Sequence, residues 1–66
     1  MKKRSITLKG HRTSISLEPE FWSALEGMAA AKGLSLQKLV EDVDGHRGNV
    51  NLSSALRVHA LKGGNA

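Results

Sequence analysis

Arg12, Ser14 and Ser16 stand out in this chain because their types and spacing could support recognition chemistry. At strand spacing, side chains alternate between faces. These three therefore share one face, and Thr13, Ile15 and Leu17 share the other. A guanidinium offers a fixed fork of donors, and a serine hydroxyl both donates and accepts. Such a face suits a polyanion, held by charge and hydrogen bonds. The surrounding charge agrees. Residues 1–17 contain Lys2, Lys3, Arg4, Lys9 and Arg12 and no acid, five positive charges in all. Residues 18–66 set Lys32, Lys38, Arg47, Arg57 and Lys62 against Glu18, Glu20, Glu26, Glu41, Asp42 and Asp44, a net of minus one. The basic character belongs to the N-terminal segment. A strand face with no acid for a dozen residues favours nucleic acid.

Other chemistries find little support. There is no cysteine, hence no disulfide and no thiolate metal ligand. His11, His46 and His59 lie far apart and lack metal-ligand spacing, so no metal and no cofactor is expected. No phosphate-binding glycine loop, nucleophile elbow or acid pair placed against a histidine is present, and the chain is expected not to be an enzyme. Phe21 and Trp22 share a helical register with Leu25 and Met28, which assigns them to packing rather than to stacking on bases. No apolar run is long enough for a membrane helix or a signal-peptide core, and a cytoplasmic location is expected.

Residues 12–17 read as one half-buried strand. Residues 1–11 read as a basic arm that could be partly strand, with residues 5–9 either extending the strand or pairing as an edge. Within it Ser5–Lys9 also alternates, with Ile6 and Leu8 on one side, and Gly10 suggests a bend or bulge. A first helix is predicted over 19–32. Pro19 suits the first helical position, Phe21, Trp22, Leu25, Met28 and Ala29 form its apolar stripe, and Gly33 is a left-handed stop. Ser35 is the expected N-cap of a second helix over 36–44, with Leu36, Leu39, Val40 and Val43 on its apolar face. Asp44-Gly45 is expected to end it. A third helix is predicted over 52–61, capped by Asn51 or Ser53, and residues 62–66 are expected to be a disordered tail. A chain of 66 residues is marginal alone, and a lone strand leaves its backbone groups unpaired. A second copy is the simplest source of the missing strand.

The order strand, helix, tight Gly-x-Ser turn, helix resembles the ribbon-helix-helix family of DNA-binding proteins. The resemblance rests on Arg12-Thr13-Ser14-Ile15-Ser16-Leu17, on the helix with Trp22 and Leu25, and on Gly33-Leu34-Ser35. The strings Gly10-His11-Arg12-Thr13-Ser14, Leu17-Glu18, Phe21-Trp22 and Asn51-Leu52-Ser53-Ser54-Ala55-Leu56-Arg57-Val58 look like a bacterial subfamily of small ribbon-helix-helix proteins.

The resemblance implies a mostly α fold with one β-strand per chain, an intertwined homodimer with a two-stranded antiparallel ribbon, and here an additional C-terminal helix. It implies a transcriptional regulator whose ribbon enters the major groove of double-stranded DNA. Base contacts fall on Arg12, Ser14 and Ser16, of which Arg12 alone can grip a guanine with two hydrogen bonds. Phosphate contacts fall on Lys2, Lys3, Arg4 and Lys9, and on the start of the second helix at Ser35, Leu36 and Gln37, where free N–H groups and the helix dipole favour an anion. The dimer core falls on Ile15, Leu17, Trp22, Leu25, Leu36, Leu39, Val40, Val43 and Leu56. A different reading makes the chain a dimeric, antitoxin-like interaction module whose C-terminal helix binds a partner protein.

Overall fold

Lys2–Leu8 form a first strand, β1, and His11–Leu17 a second, β2, in a computed structural model that describes residues 1–64. The two strands pair antiparallel, from Lys2 opposite Leu17 to Leu8 opposite His11. The expectation of one strand completed by a second copy is thereby corrected: the partner of β2 is the segment read as a basic arm. The turn explains why. Lys9 and Gly10 both have positive φ, 52° and 81°, the backbone of a two-residue hairpin turn whose twist matches that of the strands. Gly10 is therefore the second turn residue, not a bulge. A loop this short closes at little entropic cost. The hairpin also brings Ile6 and Leu8 onto the face that holds Ile15 and Leu17, so that both strands contribute apolar side chains to the core.

Three helices follow. The first, α1, spans Pro19–Lys32 and begins and ends as its sequence predicts. Gly33 adopts the left-handed conformation (φ 70°), and the N–H groups of Gly33 and Leu34 return to the carbonyls of Ala30 and Ala29. The second, α2, spans Leu36–His46. Ser35 caps it, its Oγ accepting from the Lys38 N–H at 3.1 Å. It runs two residues past the expected end at Asp44. A glycine in a last turn costs only about 1 kcal/mol, and Arg47 supports the exit by reaching Asp44 Oδ1 at 2.6 Å and the Val50 carbonyl at 2.8 Å. The third, α3, spans Leu52–Gly64, with Asn51 Oδ1 accepting from the Ser54 N–H. The tail expected over 62–66 is helical as far as Gly64, and its last two residues lie outside the described residues.

The hairpin lies across the helices and closes a single core. Ile6, Leu8, Ile15 and Leu17 meet Trp22, Leu25 and Ala29 of α1, Leu39, Val40 and Val43 of α2, and Leu56 and Ala60 of α3. The residues assigned above to a dimer core are buried within one chain, with Leu36 half-buried against them. With β1 in place, one chain has enough apolar side chains to bury Trp22 and Leu17 almost completely.

Candidate nucleic-acid interface

Directly opposed residues of an antiparallel pair share a face. Since Ile6, Leu8, Ile15 and Leu17 point into the core, the pairs Lys3–Ser16, Ser5–Ser14 and Thr7–Arg12 point away from it. The outer face of the hairpin thus carries a cation near each end and four hydroxyls between them. Arg12, Ser14 and Ser16 fall together there, as their alternation predicts. Lys3, Ser5 and Thr7 join them. Lys3 was expected on phosphates; Ser5 and Thr7 had no assigned role, although they alternate with Ile6 and Leu8. From Lys3 to Thr7 the face extends about 13 Å, the rise of about four base pairs. The ion pairs of the described residues lie elsewhere, at Arg4–Glu26, Lys38–Glu41, Arg47–Asp44 and Arg57–Glu18 among others, which leaves Lys3 and Arg12 free for a ligand.

The hairpin also fixes the direction of its free backbone groups. In a two-residue hairpin the pair beside the turn, Leu8 and His11, is hydrogen-bonded, and the pattern then alternates along the strands. The N–H and C=O groups of residues 3, 5 and 7 therefore face the outer edge of β1. Those of residues 12, 14 and 16 face the outer edge of β2.

The other sequence-predicted contacts scatter. Arg4 shares the inner face with Ile6. Its Nη1 lies 2.9 Å from Glu26 Oε2, and its guanidinium sits 5.1 Å from the centre of the Trp22 ring. It is a clasp between β1 and α1, turned away from the outer face. The Lys2 side chain is exposed, while its carbonyl accepts from Trp22 Nε1 at 2.8 Å. Lys9 is at the turn, lining a shallow depression with Leu8, Glu41 and Asp44. At the start of α2, Ser35 serves as cap, Leu36 packs against the core and Gln37 reaches Glu41 at 3.4 Å. What that end offers an anion is the N–H groups of Leu36 and Gln37.

Glu18 links β2 to the last helix: its Oε1 accepts from Arg57 Nε at 3.0 Å. Its own backbone N–H first, and then the Arg57 guanidinium, hold its carboxyl below the usual glutamate range. An open groove of about 560 Å³ separates α2 from α3, lined by Val43, Val50, Ala55 and Val58, with His46 and His59 at its sides. Among the described residues no cluster of three or more His, Cys, Asp or Glu could hold a metal ion, and no helix is long and apolar enough to cross a membrane.

A two-stranded antiparallel ribbon followed by three helices is consistent with the ribbon-helix-helix class. Residues 1–63 match the ribbon-helix-helix domain family, and the chain belongs to it. Domains of this class are in general DNA-binding regulators that dimerise, and are typically not enzymes. Among solved structures the chain is similar to an uncharacterised protein from Bordetella pertussis Tohama I, at 36% identity and a TM-score of 0.76. The match covers 91% of this chain and 52% of that protein, so the chain spans about half its length. No match was found among curated proteins.

Proposed function

We propose that this chain is a sequence-specific DNA-binding protein, a transcriptional regulator that reads the major groove with its β-ribbon as a homodimer. The observation that carries this reading is the outer face of the hairpin. It gathers Arg12, Ser14 and Ser16, contains no acid and is not covered by any helix. Arg12 makes the discriminating contact, bidentate to a guanine and worth about 1–3 kcal/mol. Ser14 and Ser16 add hydrogen bonds that several bases accept. Lys2, Lys3 and Lys9 supply attraction to phosphates that does not depend on sequence. The start of α2 at Ser35, Leu36 and Gln37 holds one further phosphate through the N–H groups of Leu36 and Gln37.

The homodimer forms through the free edge of β2. Residues 13–17 carry no charge, whereas β1 opens with Lys2, Lys3 and Arg4, and charged runs oppose edge-to-edge pairing. Pairing centred on Ser14 sets Arg12 of each copy opposite Ser16 of the other. It makes a four-stranded sheet with the two β2 strands at its centre, so the base-reading ribbon is shared between copies.

The test is binding of random-sequence and enriched duplex DNA across a salt series. Arg12→Ala should erase the sequence preference. Lys3→Ala should weaken all sequences alike and flatten the slope of log affinity against log salt by about one unit. Weak binding without a preferred site, equal in wild type and Arg12→Ala, refutes the reading. It would favour the interaction module, for which the exposed Val58 and Leu61 of α3 are the supporting observation.

A further inference from the structure

The geometry points to a division of labour between the two strands: we infer that β1 is a phosphate-backbone strand, with the hydroxyls of Ser5 and Thr7 and the ammonium of Lys3 contacting the DNA backbone on either side of the groove. This rests on the DNA-reading homodimer proposed above. Ser5, Thr7 and Lys3 lie on the same outer face as Arg12, Ser14 and Ser16, one strand further from the β2 edge. Neighbouring strands are about 4.8 Å apart. In a sheet ordered β1, β2, β2, β1, the two central strands fit within a major groove about 12 Å wide. The two outer strands are about 14 Å apart and so lie over the groove walls, where the phosphates are.

The residue types fit that place. Side-chain hydroxyls and lysines are ordinary donors to phosphate oxygens. None of the three is an acid or a bulky apolar group that a phosphate would have to desolvate. Ser5 is exposed, and the Lys3 ammonium is in none of the ion pairs described above. A base-reading role requires a side chain to reach inside the groove. A backbone role requires only the outward direction that the register imposes on all three.

The experiment compares wild type, the double variant Ser5→Ala/Thr7→Val, Lys3→Ala and Arg12→Ala on an enriched duplex and on a random pool, at several salt concentrations. Thermal melting of each protein checks the fold, and valine keeps the β preference of position 7. The double variant is expected to lose about three- to tenfold in affinity, equally on both DNAs, with its salt slope and enriched sequence unchanged. Unchanged affinity in the double variant, beside a loss of preference in Arg12→Ala, overturns the role of β1 and leaves the DNA reading standing. A changed sequence preference in the double variant also overturns it, because β1 would then be inside the groove. Absence of salt-dependent binding by wild type removes the DNA reading itself and this inference with it.

Discussion

Arg4 and Arg12 are both arginines of the hairpin, and strand parity gives them opposite tasks. Arg12 is on the outer face. Arg4 is one of the inner residues and spends its charge on Glu26 and the Trp22 ring. Both partners of that ion pair keep substantial solvent contact, 30% and 50% of the side-chain surface, so screening makes the pair itself weak. The stacking on Trp22 adds about 0.5–1 kcal/mol. Arg4→Ala should therefore destabilise the fold by about 1 kcal/mol, a fall of about 4–8 °C in melting temperature for a domain of this size. DNA affinity measured well below that melting point should hardly change. A large loss of affinity with an unmoved melting temperature would return Arg4 to the phosphates.

The hairpin is the element on which the rest depends, and its turn is not optimal. Lys9 holds a left-handed backbone (φ 52°), which costs a residue with a long side chain roughly 1 kcal/mol and suits asparagine far better. Lys9→Asn should raise the melting temperature by a few degrees, and Gly10→Ala should lower it, since position 10 also has positive φ. Calorimetry of the two variants decides whether the turn is formed in solution. The alternation of Ser5–Leu8 made this element legible in outline. The pairing was not, because an alternating run looks the same whether its partner is in the same chain or another. The helices show the same limit. Pro19, Gly33 and Ser35 mark their boundaries by local chemistry, whereas α2 crosses Asp44-Gly45 because Arg47 folds back onto Asp44 and Val50.

At the scale of the whole molecule, the intrachain pairing of β2 leads us to expect folding without a second copy. β2 is paired on one side within the chain, and the core closes without a second copy. Helical circular dichroism should persist at concentrations where sedimentation finds only monomer, and the melting temperature there should not depend on concentration. Dimerisation through the β2 edge should follow at higher concentration, or on DNA. Loss of the fold on dilution would instead restore an intertwined dimer in which each chain completes the other.

Local periodicity and capping sufficed for the outward placement of Arg12, Ser14 and Ser16, the identity of α1, the Ser35 cap and the assignment of Trp22 to the core. Each depends on contacts within a few residues along the chain. Which strand pairs with β2, which way Arg4 points, and that Lys3, Ser5 and Thr7 share a face with Arg12 required the fold. These follow from a register between segments, set by the burial of Ile6 and Leu8 beside Ile15 and Leu17. No run of residues contains that register, because it is a property of two strands and the helices beneath them.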